Sequence, residues 1–148
     1  MNPSERIKAK IMLWEGCRYT AYLCPAGVLT IGYGHTGPDV YDGRTVTPAE
    51  AAAIFSADIE KFAIMVESAL GSTRLNNDQF DACVSLAFNI GMGNFQASTL
   101  LKKIKANAAD PAIANEFKRW NKSNGRELPG LTRRRQEEAN IYFGKWSS

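Results

Sequence analysis

The sequence predicts an α+β fold that is mostly helical and contains one small antiparallel sheet. A helical spacing of apolar residues starts within the first ten positions, strand-forming residues and glycines dominate positions 18–44, and helical patterns fill the rest. The 148 residues are the usual size of a single domain. A chain of this length buries about 68–70% of its unfolded surface, so we expect one domain that folds without a disulfide or a metal.

The first helix is predicted near the start of the chain. Asn2 can cap it and Pro3 suits its first position. An apolar stripe follows at helical spacing, formed by Ile7, Ile11 and Trp14. Gly16 interrupts this pattern and is expected to end the helix, which places Glu15 at its C-terminal edge.

Positions 18–44 have the pattern of a small sheet. The strand formers are Tyr19, Tyr22, Val28, Thr30, Ile31 and Tyr33, and they are separated by Pro25, Gly27, Gly32, Gly34 and Gly37. This pattern predicts two or three antiparallel strands. Because so small a sheet is marginal by itself, it must pack against helices.

The remaining helices have start and stop signals. The run Thr47-Pro48-Ala49-Glu50 is a capping box with proline at the first position, and its helix is expected to extend to Gly71 and could join two lobes. Asn76 or Asn77 caps a helix that is apolar nearly all round, hence buried, and that ends at Gly91. Further helices are predicted at 98–105, 111–120 and 131–143.

Charge is unevenly distributed along the chain. Positions 1–100 carry 7 basic against 10 acidic residues, whereas positions 101–148 carry 11 against 5. The basic third is compatible with an acidic partner, such as nucleic acid, anionic lipid or an acidic wall polymer, and equally with a solvated helix surface. There is no nucleic-acid recognition motif and no interleaving of aromatic residues, so nucleic acid is not an expected partner.

The three cysteines, Cys17, Cys24 and Cys83, contain no CxxC pair. Since His35 is the single histidine, a zinc site is not expected, and we predict neither a metal nor a cofactor. The odd number of thiols favours a reducing compartment, while a disulfide between Cys17 and Cys24 stays open.

Glu15 has surroundings that suit acid catalysis. Glycoside hydrolysis needs a carboxylic acid that stays protonated near neutral pH and protonates the leaving oxygen. The apolar residues before Glu15 and the partial negative charge of a helix C-terminus both favour the protonated form. From this local chemistry alone, an exposed helix-end glutamate is the commoner alternative.

Three ordered blocks of the sequence carry a family pattern. The first joins Glu15-Gly16-x-Arg18-x-x-Ala21-Tyr22 to Thr30-Ile31-Gly32-Tyr33-Gly34-His35-Thr36, with eight residues between Glu15 and Cys24 and five between Cys24 and Thr30. The other two span 77–101 and 130–138. Together they resemble the phage-type lysozymes of glycoside hydrolase family 24 over essentially the whole chain. The resemblance implies a two-lobed lysozyme-like fold with a cleft, a sheet lobe at roughly 15–75 and a helical lobe at roughly 1–14 plus 76–148.

The resemblance also implies roles for individual residues. Glu15 would donate the proton, Thr30 would orient a water or an intermediate, and Cys24 stands where many members have aspartate. Positions that line the cleft or contact sugar in the family are matched by Thr36, Phe88 and Thr99. Phe88 lies in an apolar helix and is equally compatible with a core position.

Cys24 departs from the commoner family pattern. A thiol with an ordinary pKa of about 8.5 is mostly neutral at pH 7, unlike an aspartate. Our hypothesis is that Cys24 is a nucleophile or a water-activating thiolate, helped by Arg18 or another nearby cation. Alternatively it only packs, or a disulfide to Cys17 blocks it. His35 is expected to be a hydrogen-bonded link between the sheet and the first helix rather than a base.

The run Arg133-Arg134-Arg135 allows two interpretations. One of these arginines would reach Glu15 across the lobes while the others face an anionic wall polymer, and Arg134 is our candidate for this supporting role. Alternatively the run is the solvated face of a terminal helix, the commoner fate of a charge run.

Together, the residues and the resemblance predict an endolysin muramidase that hydrolyses the β-1,4 bond between N-acetylmuramic acid and N-acetylglucosamine in peptidoglycan and lyses the host. The competing functions are a lytic transglycosylase, a catalytically silent wall-binding module and, more distantly, a nucleic-acid-binding domain. The first ten residues are mixed in charge, and no apolar run reaches the roughly 20 residues of a membrane helix. We therefore expect a monomer without stable membrane insertion, held in the host cytoplasm until a holin-type pore admits it to the periplasm.

Overall fold

The computed structural model describes residues 1–147, which fold as two units. We call Lys8–Lys61 the sheet unit, and Met1–Ile7 together with the chain from Phe62 onward the helical unit. Both boundaries between the units fall inside helices. The predicted α+β class, mostly helical with a small antiparallel sheet, is confirmed.

The sheet unit contains the three strands that follow the first helix. Helix α1 (Glu5–Glu15) leads into β1 (Arg18–Leu23), β2 (Leu29–Gly32) and β3 (His35–Thr36), which pair antiparallel in the order β1-β2-β3. Strand β2 is therefore central, and its Thr30 lies opposite Tyr22 on one side and Thr36 on the other. This register places the three side chains on one face of the sheet.

Helix α1 starts later than the sequence predicted and ends where it predicted. Asn2 is not the cap, because the helix begins at Glu5 and the Oγ of Ser4 accepts the backbone N–H of Ile7 at 3.1 Å. At the other end, Gly16 adopts a φ of 67°, which terminates the helix directly after Glu15.

The core of the sheet unit draws on the loop after β3 as well as on the sheet. Ile31, Val40, Val46 and Ala51 form a buried cluster, and half-buried residues such as Tyr33 pack against it. Because two of the four buried residues come from the loop at 37–47, this loop is held in place by its own apolar side chains. It leads into α2 (Pro48–Leu70), which starts with the predicted capping box.

The helical unit is built around two helices that bury one another. Its elements after α2 are α3 (Asn77–Ile90), α4 (Met92–Ala97), α5 (Thr99–Ala106), α6 (Ile113–Lys118), β4 (Lys122–Ser123), β5 (Arg126–Glu127) and α7 (Pro129–Tyr142). Helix α7 packs against both α3 and α6. Every residue from Phe80 to Ala87 in α3 is buried, which confirms the prediction of a buried helix. Asn76 provides its cap through a complete capping box.

Three short elements of the helical unit were not predicted. Helix α4 has six residues and no side-chain cap, and each strand of the β4–β5 hairpin has two residues. Elements this short have too few residues for a period to show. Within residues 1–147, none of the helices combines the length and apolar character needed to cross a membrane.

Candidate active site

Glu15 is fixed by the end of α1 and by the turn between β2 and β3. Its side chain is half-buried, and its carboxylate lies so close to the backbone of Gly34 that a Cβ built on that glycine would be 2.9 Å from Oε1 of Glu15. Gly34 also has a φ of 74°, a conformation that favours glycine. Glycine at position 34 is therefore required twice, by its own backbone and by the place of the Glu15 carboxylate.

Cys24 lies in the tight turn that joins β1 to β2. Its backbone N–H donates to the carbonyl of Val28 at 3.0 Å, and its carbonyl accepts the N–H of Gly27 at 2.8 Å. Alternation along the hairpin puts the side chains of Cys24 and Thr30 on the same sheet face. Thr30 is 4% exposed, and its Oγ1 donates to the Val28 carbonyl at 2.9 Å. The structure thus brings the predicted thiol and hydroxyl together.

The turn favours the charged form of the thiol. The pKa of Cys24 is held below its ordinary value, first by the backbone N–H of Val28 and further by those of Ala26 and Gly27, against a smaller opposing effect of burial. Backbone N–H groups that converge on a sulfur stabilise a thiolate. The expected helper, Arg18, is not among the groups that lower this pKa; its guanidinium lies over the ring of Tyr22, 4.6 Å from the centroid.

The alternative in which a disulfide blocks Cys24 is wrong. Cys17, Cys24 and Cys83 are all free thiols, and all three lie within the described residues. Cys17 precedes β1 and Cys24 follows it, so an extended strand of six residues separates them. Their Cα atoms are therefore well beyond the roughly 7 Å that a disulfide can span.

His35 links the sheet to α2 and not, as expected, to the first helix. Its Nδ1 is 2.6 Å from Oδ2 of Asp58, and its Nε2 is 3.0 Å from Oδ2 of Asp39. Arg44 donates to the same Asp39 carboxylate at 3.1 Å. Both ring nitrogens of His35 face carboxylates, so neither is placed to accept a proton from substrate.

The three remaining predicted site residues lie on exposed or half-exposed surfaces. Thr36 is exposed and faces the same way as Thr30, its neighbour across the sheet. Phe88, near the end of α3, is half-buried, with its ring centroid 5.3 Å from that of Phe62. Thr99 is exposed at the first position of α5. Phe88 and Thr99 belong to the helical unit, whereas Glu15 and Cys24 belong to the sheet unit.

Arg134 and Arg135 are buried ion-pair partners inside the helical unit. The side chain of Glu138 is fully buried, with Nε of Arg135 at 2.7 Å from Oε1 and Nε of Arg134 at 3.3 Å from Oε2. Ser85 on α3 donates to Oε2 of Glu138 at 2.5 Å. The interpretation of a solvated helix face is therefore wrong for Arg134 and Arg135, and it holds for the exposed Arg133 alone.

Several residues around these groups were missed by sequence reasoning. Asp39 and Asp58 were not expected as partners of His35, because nothing in a one-dimensional pattern places them beside it. Glu138 offered a better signal, since it lies three residues after Arg135 and four after Arg134, spacings at which helical side chains meet. Trp120, which lines two recesses of the helical unit, gave no sequence signal.

The fold and the Glu15 region together define the class of protein. A mostly helical chain with a small three-stranded sheet, and with a glutamate held at the end of the first helix, is typical of lysozyme-like glycoside hydrolases. Residues 12–138 match the phage lysozyme family, and the chain belongs to this family. The predicted class of enzyme, a lysozyme-type glycoside hydrolase, is thereby confirmed.

The relatives and structural neighbours of the chain include phage endolysins. The chain is 40% identical to an endolysin of Acyrthosiphon pisum secondary endosymbiont phage 1 over 146 residues, 96% of this chain and 98% of that protein. It is 37% identical to the Bacillus phage B103 endolysin over 97% of this chain, but spans only about half (54%) of that protein. The endolysin from Escherichia coli O157:H7 phage FAHEc1 has a structure that matches with a TM-score of 0.84 at 33% identity, covering 100% of this chain and 98% of that one. Other relatives are named SAR-endolysin.

Proposed function

We propose that the chain is an endolysin muramidase that hydrolyses the β-1,4 bond between N-acetylmuramic acid and N-acetylglucosamine in peptidoglycan, with Glu15 as proton donor. The observation that carries this proposal is the place of Glu15, half-buried at a helix end and held against the backbone of Gly34. Membership of the phage lysozyme family and the endolysin names of its relatives support the wall as substrate and lysis as outcome.

In the first step, Glu15 gives its proton to the glycosidic oxygen as the bond from that oxygen to the anomeric carbon breaks. The electron pair of the bond leaves with the protonated oxygen, and positive charge develops on the sugar ring. Because the carboxyl group is confined by Gly34 on one side, it keeps a fixed direction during this transfer.

In the second step, Cys24 deprotonates the attacking water and Thr30 orients it. The Cys24 thiolate takes a proton from a water whose oxygen bonds to the anomeric carbon, and the thiol and the Glu15 carboxylate then exchange protons with solvent. Thr30 uses its hydroxyl hydrogen on the Val28 carbonyl, so its oxygen is an acceptor for that water. The negative charge of the thiolate also favours the cationic sugar.

The sugar contacts are assigned to three residues on exposed or half-exposed surfaces. Thr36 shares the sheet face of Thr30, and its hydroxyl is open to solvent. In the helical unit, Phe88 offers part of its ring and Thr99 its exposed hydroxyl. An aromatic ring and hydroxyl groups are suitable contacts for the apolar and polar faces of a sugar.

Glu15→Gln tests the proposed acid. The amide keeps the shape of the side chain but has no acid proton, so we expect kcat on purified peptidoglycan to fall by about 10²- to 10⁴-fold. Glu5→Gln is the matched control, since it makes the same change at the exposed opposite end of the same helix. Lysis by the Glu15→Gln variant at the parental rate would contradict the proposal. Mass spectrometry of the released muropeptides must show reducing ends, because anhydro-sugar ends would identify a lytic transglycosylase.

Replacing Cys24 tests the thiolate. A thiolate base makes activity fall as the pH drops through the pKa of Cys24, so the pH profile of kcat should have an acidic limb that this thiol sets. In Cys24→Asp this limb should move to lower pH, because a carboxylate stays charged there. Cys24→Ser has no group that ionises in this range and should lose most of its activity. Full activity of the serine variant would exclude a thiolate role.

The cellular route is a further part of the proposal. We propose that the protein works as a monomer and reaches the periplasm from the host cytoplasm through a holin-type pore. Expression with and without a holin, followed by fractionation and by size-exclusion chromatography of the purified protein, tests both points. Protein found in the periplasm without any holin, or a stable dimer, would contradict them.

A further inference from the structure

Two recesses of the helical unit share the wall formed by Trp120. One, of about 380 Å³, is also lined by Asn89, Lys122 and Leu131. The other, of about 250 Å³, is also lined by Thr99, the predicted sugar contact at the start of α5. The position of Trp120 therefore sets the shape of both recesses.

One buried side chain, that of Arg135, donates hydrogen bonds to both Trp120 and Asn89. Arg135 is 0% exposed, and its Nη1 donates to Oδ1 of Asn89 at 2.9 Å and to the carbonyl of Trp120 at 3.3 Å. The opposite edge of the guanidinium faces Glu138, with Nε at 2.7 Å from Oε1 and Nη2 at 3.2 Å from Oε2. The planar guanidinium of Arg135 thus connects α7 to Asn89 of α3 and to Trp120 in the segment after α6.

This arrangement also decides which way the Asn89 amide points. Guanidinium groups only donate hydrogen bonds, so the atom of Asn89 that faces Arg135 is the oxygen. The Nδ2 of Asn89, a residue that lines the recess, is therefore the amide atom left to donate to carbonyl or hydroxyl oxygens. The recess accordingly combines amide donors, an ammonium group at Lys122 and apolar surface at Leu131.

We propose that Arg135 is a positioning residue for binding of the wall polymer, which holds the Asn89 amide and the Trp120 backbone in the geometry that the two recesses need. This inference rests on the proposed function, because it assigns the recesses to the peptidoglycan substrate. A lysine cannot replace the arginine here, since one ammonium group cannot face Glu138 with two nitrogens and also reach Asn89 and Trp120.

The first test compares Arg135→Lys with Ser85→Ala. Both changes disturb the buried network around Glu138, but Ser85 contacts Glu138 and lines neither recess. For Arg135→Lys we expect the KM for purified peptidoglycan to rise roughly tenfold, the equivalent of one or two hydrogen bonds, with kcat within about twofold of the parent. Ser85→Ala should lower the melting temperature without raising KM. A parental KM in Arg135→Lys, or an equal rise in Ser85→Ala, would overturn the proposal.

A double-mutant cycle with Asn89→Ala separates positioning from general destabilisation. If Arg135 acts through Asn89, the double variant should have a KM below the product of the two single effects. Fully multiplicative effects of the two substitutions would contradict an action through Asn89.

Asn89→Asp decides the question if Arg135→Lys does not fold. Aspartate keeps an oxygen for Arg135 but removes the donors on the recess side, so KM should rise at an unchanged melting temperature. A parental KM in this variant would overturn the proposal. The proposed function is tested separately by the kcat of Glu15→Gln, because that measurement does not depend on the recesses.

Discussion

The sheet unit and the helical unit differ in the burial of their ionisable side chains and in the contacts that hold these side chains in place. In the sheet unit, Glu15 and Cys24 are half-buried, at a helix end and in a hairpin turn, and contacts with the backbone set their positions. In the helical unit, Arg135 and Glu138 are fully dry and are held by one another. The proposed acid and thiolate must stay accessible to a substrate, whereas the ion pairs around Glu138 have no such requirement.

This difference has a consequence for how each unit responds to substitution. A buried ion pair leaves an uncompensated charge in the interior when one partner is removed. A half-exposed group held by a turn can move when its support changes, with a modest cost in stability and a large one in geometry. Substitutions that remove a charge from the buried ion pairs of the helical unit should therefore act on folding, and those at the half-exposed groups of the sheet unit on activity or on local strain.

The largest effect on stability is expected from Glu138→Ala. It leaves the buried guanidinium groups of Arg134 and Arg135 without their shared carboxylate, and we expect the free energy of unfolding to drop by about 3–5 kcal/mol. Urea unfolding measures this loss. Glu116→Ala is the control, because its partner Arg119 is 67% exposed and such surface pairs contribute about 0–1 kcal/mol. Equal losses in the two variants would show that burial of the ion pair does not set the cost of removing its carboxylate.

Gly34→Ala should separate activity from stability. The new methyl group would come within 2.9 Å of the Glu15 carboxylate, which must turn away, while the positive φ costs about 1–2 kcal/mol. Gly43→Ala is the matched control, since it has a φ of 86° and open space around the position of a Cβ. Both variants should lose similar stability in thermal unfolding, but we expect a loss of kcat of about tenfold or more in Gly34→Ala alone. Equal kcat values would show that Gly34 does not position Glu15.

The smallest effect is expected for Asp39→Asn. Hydrogen bonding from His35 lowers the pKa of Asp39, so the charged carboxylate adds stability above its ordinary pKa near 4 and loses this contribution as the pH falls through its pKa in the folded protein. Asp39 is 55% exposed, so the loss at pH 7 should be well under 1 kcal/mol. Urea unfolding at pH 7 and at pH 3 should show a gap from the parent that narrows in acid. Asp42→Asn in the same loop is the control, and a gap that widens in acid would reverse the sign we assign.

Much of the local structure follows from local chemistry. The capping box at Thr47, a cap at Asn76 or Asn77 and the stop at Gly16 were predicted correctly, because each depends on residues within one helical turn, and Asn76 is the cap that the structure has. The Asn2 cap was wrong for a related reason. Ser4 is an equally good capping residue two positions later, and the carboxylate of Asp81 in α3 receives its N–H and hydroxyl at 2.9 and 2.6 Å.

In the candidate site, too, some features follow from neighbouring residues in the sequence and others depend on tertiary contacts. By itself, the sequence determined that Glu15 ends a helix, and that Cys24 and Thr30 stand at a fixed spacing around a turn, since these features depend on near neighbours in the chain. Only the tertiary structure decided that Gly34 confines the Glu15 carboxylate, that turn amides rather than Arg18 favour the Cys24 thiolate, and that Arg135 is buried behind Asn89. Each of these contacts joins residues that are far apart in the chain or that meet only in a particular turn geometry. Such contacts depend on packing in three dimensions, of which a one-dimensional pattern carries no record.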